Sequence, residues 1–203
     1  MQRKIVIFIL LVVFLISCWI IGSEAAISDI SGNIVRLHII ANSNSSEDQK
    51  LKLYIRDCLL DKVRGEDMYN KEYIYENADE ITEFCNALIK EKGFNYQARV
   101  MKGKYYFPTK TYQNISLPAG EYEAIRIVLG EGDGENWWCV MYPPLCFTNE
   151  SRGVLSEEEL TALSEGMSKE GFEIINNKED KITIKPAFKL VELWQEAKHK
   201  IIK

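Results

Sequence analysis

Histidine is scarce in this chain: His38 and His199 are its two among 203 residues. Its five cysteines include no Cys-x-x-Cys pair. Two distant histidines and cysteines so spaced leave no zinc signature. A basic stripe is missing as well. Net charge is -5, and removing the segment through Ala25 takes away only Arg3, Lys4 and Glu24. The acidic body that remains lacks the electrostatic footprint nucleic-acid phosphates require. Internal repeats and low-complexity linkers are absent too, which disfavours an extended structural component of an envelope. The one glycine-spaced run, Gly130-Glu131-Gly132-Asp133-Gly134-Glu135, lacks phosphate-loop spacing, and its carboxylates would repel a phosphate. It also lacks the ligand order of an EF-hand, so it reads as a turn. No cofactor, metal or small-molecule substrate is expected.

What is present first is an export signal. Arg3 and Lys4 precede an unbroken apolar run from Ile5 to Ile21, followed by small residues at Ser23 and Ala25. That is the layout of a secretory signal with a cleavage site. As a helix the run spans roughly 25 Å, slightly less than the ~30 Å hydrocarbon core. Cleavage and retention as an anchor both stay open. So does a lipoprotein box at Leu15-Ile16-Ser17-Cys18, although the apolar Trp19-Ile20-Ile21 after it is unusual for a mature lipoprotein. Under all three readings the body lies outside the cytoplasm. Four body cysteines, Cys58, Cys85, Cys139 and Cys146, permit disulfides there.

The body reads as one α+β unit: a helical pair, then an antiparallel sheet, then C-terminal helices with a small hairpin. The segments are 1–25 as signal or anchor, 33–147 as the main domain and 148–203 as an extension. Val35, Leu37 and Ile39 alternate with Arg36, His38 and Ile40 as a half-buried strand. Ser46 and Gln49 have capping-box spacing and predict a helix ending at Gly65. On it Gln49, Lys52 and Arg56 share one side. A second helix is predicted over 70–92, ending at Gly93, and Cys58 and Cys85 fall on apolar faces as core thiols. Strands follow near Tyr96–Val100, Glu121–Leu129 and Trp137–Tyr142, with the glycine run turning between the last two. Ser156 with Glu159 opens a helix ending near Gly171. Phe172–Ile175 and Lys181–Lys185 suggest a hairpin, and Ala187–Lys200 a final amphipathic helix.

Catalytic groups are thin. A cysteine nucleophile needs a base, so the enzyme alternative is a hydrolase using Cys139 or Cys146 with His38. As a plain structural residue, His38 would occupy the strand's accessible face. Pro118–Phe147 is denser in rare residue types, with Trp137, Trp138, Pro143 and Pro144 beside Cys139 and Cys146. A Cys139–Cys146 disulfide would close a short loop worth about 2.5 kcal/mol and fix projecting aromatics as interface anchors. The alternative is that the tryptophans fill the core; in a strand they point to opposite faces.

The run from Arg36 to Ser45, with Glu47-Asp48-Gln49, Lys52 and Ile55-Arg56-Asp57, resembles the stage II sporulation protein R family. So do Phe107–Lys110, Pro118–Ala124, Asn136–Val140 and Pro143–Phe147. The blocks lie in order between Ile34 and Phe147; Tyr142 replaces the family's usual Phe, and nothing after Phe147 is covered. The resemblance implies a non-catalytic signal exported from the forespore into the intermembrane space. There it would trigger a membrane-embedded aspartic protease that processes the precursor of a mother-cell sigma factor. Two binding surfaces follow as expectations. One is Asn42, Ser43, Asp48, Gln49, Lys52 and Arg56; the other is Trp137, Trp138, Pro143 and Pro144. Arg36 and Asp57 could instead form an internal ion pair.

Overall fold

The computed structural model describes residues 2–65, 76–111, 115–142, 157–176 and 186–202. A four-stranded sheet lies at its centre in the order β2-β5-β1-β6, formed by β1 (Val35–Ile40), β2 (Ala98–Phe107), β5 (Gly120–Leu129) and β6 (Asn136–Tyr142). A two-stranded ribbon joins β3 (Lys110–Thr111) to β4 (Ser116–Leu117). The class is α+β. The sheet is mixed: β2 with β5 and β1 with β6 are antiparallel, while β1 runs parallel to β5.

The parallel pair follows from how completely β1 is buried. All six of its residues are buried, on both faces, where the sequence pattern suggested a half-buried strand. A strand so buried takes a partner on each side and helices on each face. The glycine run therefore does not close a hairpin. It carries the chain from β5 across the end of β1 to β6.

On one face, Val35, Leu37 and Ile39 pack with Ile125, Ile127, Cys139 and two helices, α2 (Ser46–Gly65) and α3 (Ala78–Glu91). Ile55, Leu59 and Cys85 are fully buried there; each large aliphatic contributes about 1.5–3 kcal/mol. Burial also pushes the Cys85 thiol up to about 12, a free, inert core thiol. Cys58 is free and half-buried against the same core. The chain leaves α3 through Gly93, at φ +80°. Residues 66–75, which the second predicted helix included, lie outside the described set.

The second core joins Phe107, Ile115, Leu117, Tyr122 and Val140 to Ile30 and Ile34 from the chain's first part. It also takes in Leu163 and Met167 from the C-terminal part and Ile175 beyond them. Ile30 belongs to α1 (Gln2–Gly32), one unbroken helix that begins with the apolar run. Among the described residues α1 is the one helix long and apolar enough to cross a membrane.

Three local expectations change. The cap of α2 is Ser45, whose Oγ accepts from Asp48 N at 3.1 Å, one residue before the predicted Ser46. The helix expected to end near Gly171 is two, α4 (Glu157–Gly166) and α5 (Lys169–Ile175), with Ser168 capping the second by accepting from Gly171 N. Phe172–Ile175 is accordingly helical rather than a strand. Asn176 makes one bridge to Ile115; Lys181–Lys185 and Ser156 lie outside the described residues. The last helix is α6 (Pro186–Ile202).

Candidate functional site

At the C-terminal end of β1 the chain enters the turn Asn42-Ser43-Asn44-Ser45. Ser43 Oγ accepts from Ser45 N at 3.1 Å, the local side-chain turn such residues favour. The buried Asp48 then gathers three donors. Ser43 Oγ lies at 2.6 Å, Asn42 Nδ2 at 2.8 Å and the Tyr96 hydroxyl at 2.6 Å. Burial would raise its pKa, but the bonds from Ser43, Tyr96 and Asn42 outweigh that and hold the carboxyl below its ordinary value.

The same turn fastens the glycine run. Asn42 Oδ1 accepts from Glu131 N, the Asn42 carbonyl from Asp133 N, the Ala41 carbonyl from Gly134 N, and Asn44 Oδ1 from Glu135 N. Gly130 has φ +54°, and a Cβ there would strike the Asn42 side chain; one on Gly134 would strike the Ser43 carbonyl. Only glycine permits this approach.

Gln49 donates to the Ser43 carbonyl at 2.9 Å and accepts from Lys52 Nζ at 2.6 Å. Lys52 is buried and also donates to the Glu135 carbonyl at 3.0 Å. Burial and then neighbouring Arg56 lower its pKa against the pull of Glu135. One turn on, the Arg56 guanidinium lies 5.1 Å over the Trp137 ring. That placement supports a cation–π contact. Of the second expected surface, Trp137 alone among the described residues lies beside the first: Lys52 and Arg56 of α2 meet Glu135 and Trp137 at the start of β6.

Asn42, Ser43, Asp48, Gln49 and Lys52 spend hydrogen bonds on holding the frame. The groups left partly open are Arg56, with 18% of its side chain exposed, and Trp137, half-buried against the first core, with exposed Glu131, Asp133 and Glu135 around them. Leu53, 39% exposed and three residues before Arg56, adds an apolar group that the sequence reading missed. Its signal was there: it is a leucine off the Leu51–Ile55–Leu59 stripe. Tyr96, the third donor to Asp48, was also missed. Nothing in its strand pattern marks a partner 48 positions away.

Trp138 points to the opposite face, as strand alternation requires. It stacks on His38 at 3.5 Å and meets Phe107 edge-on at 4.8 Å. His38 is 5% exposed, not on an accessible face, and its Nε2 lies 2.7 Å from Asn136 Oδ1. Burial, aided by nearby Arg126 and opposed by Asn136, lowers its pKa to about 4.

The cysteine dyad does not assemble with Cys139. That residue pairs with Leu37 and packs in the α2–α3 core, on the other face from His38, and it is disulfide-bonded. Cys146, Pro143 and Pro144 lie outside the described residues. The expected Arg36–Asp57 pair is absent too. Arg36 is fully buried, its Nε donates to the Cys139 carbonyl at 3.2 Å, and its guanidinium lies over Phe107 and Tyr122. Asp57 instead pairs with Arg56 at 2.7 Å. Among the described residues no group of three or more His, Cys, Asp or Glu could hold a metal ion.

A family model described as stage II sporulation protein R matches residues 31–152, which include this face. The Stage II sporulation protein R of Bacillus subtilis (strain 168) is 40% identical over 154 residues, 72% of this chain and 69% of that protein. No solved structure matches.

Proposed function

The chain belongs to the stage II sporulation protein R family, and from that premise we propose that it is an exported, non-catalytic intercellular signal of sporulation. It leaves the forespore and, in the intermembrane space, switches on a membrane-embedded aspartic protease of the mother cell. The protease then processes the sigma-factor precursor. The docking face is Arg56 and Trp137 with Leu53, framed by Asn42, Ser43, Asp48, Gln49 and Lys52. Trp138 faces the other side of the sheet, and Pro143 and Pro144, which lie outside the described residues, are a second, separate contact in the proposal. In the same proposal, the disulfide partner of Cys139 is Cys146.

The observation that carries the reading is the Arg56–Trp137 contact on a frame pinned by buried hydrogen bonds. A rigid Trp–Arg pair inside a polar rim has the composition of an interface hot spot. Activation by bringing two protease chains together suits an enzyme whose chemistry needs two adjacent carboxylates.

The test is co-expression of chain, protease and precursor in a non-sporulating host. Cleavage should require both partners and survive His38→Phe. Trp137→Ala and Arg56→Glu should each lower it at least about tenfold, the size of one hot-spot loss, with circular dichroism unchanged. Full cleavage with both variants would move the docking face elsewhere. No cleavage by the unaltered trio would overturn the functional reading.

A further inference from the structure

The segment that resembles a removable signal is built into the folded body. Helix α1 does not break between the apolar run and the domain: Gly22, Ser23, Glu24, Ala25 and Ala26 are all helical. Past them Ile27 is buried close to Gly120, and Ile30 is a member of the second core. Asp29 accepts from Ser168 N at 3.0 Å and Ser168 Oγ at 2.6 Å, joining α1 to the cap of α5.

Glu24 makes the closest tie. Its Oε1 accepts from Trp194 Nε1 at 2.6 Å, Gln195 Nε2 at 3.3 Å and Lys198 Nζ at 3.2 Å, all from α6. Trp194 and Lys198 are half-buried and Gln195 is 5% exposed. Glu24 is the residue immediately before Ala25, where a small-residue processing rule would cut. Cleavage there would strip α6 of its acceptor and leave the Trp194 and Gln195 donors without it.

The apolar part behaves in the opposite way. Ile5, Phe8, Leu11, Phe14 and Ile16 are each at least half exposed, so no described part of the folded body covers them. A run of this length, with Arg3 and Lys4 at its start, is a bilayer segment by chemistry. One helix thus has an uncovered apolar half and a half consumed by the core. The geometry points to a retained membrane anchor, with α1 passing from the bilayer into the domain as one rod. Peptidases cut backbone that has opened locally. Here the cut site is held helical by packing below it and by the α6 clasp on Glu24. The inference concerns the fate of the N-terminus and holds whether or not the protease is the partner.

The experiment uses the full chain with a C-terminal tag, produced in a bacterium with an intact secretion pathway. It reads the intact mass of the purified protein, its resistance to alkaline carbonate, and the body's digestion by protease added outside spheroplasts. An uncleaved N-terminus, carbonate-resistant pelleting and digestion from outside are expected together. A mature terminus at Ala26, a lipid-modified terminus at Cys18, or a body protected from external protease would each overturn the proposal. Gly22→Pro unwinds the junction and leaves the Glu24 side chain in place. It should shift most of the protein to an Ala26 terminus. Equal retention in that variant would overturn the helical junction as the cause.

Discussion

His38 and Asp48 give the protein two acid signatures in different pH ranges. His38 is neutral in the fold, with its pKa lowered to about 4 by burial, while the unfolded chain binds the proton near the ordinary 6.5. Between those values the unfolded state holds more protons, so stability rises with pH there. The contribution is complete above 6.5 and drains as pH falls toward 4, a loss on the order of 2–3 kcal/mol. Urea midpoints measured from pH 7.5 to 4 should show that slope, and His38→Phe should flatten it. Asp48 acts lower. Its folded pKa is held below the ordinary 3.8, so its contribution is complete above that range and is lost only as pH falls through the lower folded value. Asp48→Ala leaves Ser43, Asn42 and Tyr96 without their acceptor. At neutral pH it should cost about 2–3 kcal/mol by chemical denaturation. A loss below about 0.5 kcal/mol would mean water replaces the carboxylate easily.

The crossover from β5 to β6 is the element on which the candidate face depends, because it positions Glu135 and Trp137 against α2. Gly134→Ala puts a methyl onto the Ser43 carbonyl, a backbone atom that cannot swing aside. It should cost about 1–3 kcal/mol, read as a lower melting temperature. Protease activation should fall more than the stability loss explains, since Arg56 and Trp137 move apart. The sequence made much of this legible at the level of residue type. Capping serines, glycine spacing, helical stripes and strand alternation placed α2, β5, β6 and the turn, because those signals are local. The order of strands was not legible. That Arg36 and His38 are buried follows from the second layer of helices, whose ends lie far along the chain. For the same reason Lys52 and Trp137 could be named but not joined: their link is a crossover over β1, and no local spacing encodes it. Ser168 was the local signal passed over. A serine just before Lys169-Glu170-Gly171 starts a second helix where a strand was expected.

At the scale of the molecule, direction along the sheet separates anchor from face. Ile27 of α1 lies at Gly120, three positions before the partner of Val35 on β5, so α1 meets the sheet at the N-terminal end of β1. The Asn42–Lys52–Trp137 face lies at the other end, past Ile40, whose β5 partner is Val128. Gly120 to Val128 spans roughly 26 Å of strand, which sets the face that far from the α1 contact and on the side opposite the anchor. The C-terminal helices divide by role. Leu163 of α4, Met167 just after it and Ile175 of α5 are core residues. The described side chains of α6 enter neither core and instead clasp Glu24 and stack His199 on Tyr106. Deleting residues 157–203 should therefore abolish cooperative folding, since it removes three buried large side chains, each worth about 2–5 kcal/mol. Ending the chain before Pro186 should keep a cooperative transition while opening the α1 junction, read as new proteolytic cuts near Glu24 in nanodisc-held protein. If the shorter deletion unfolds the domain as fully as the longer one, α6 belongs to the core and the division of roles fails.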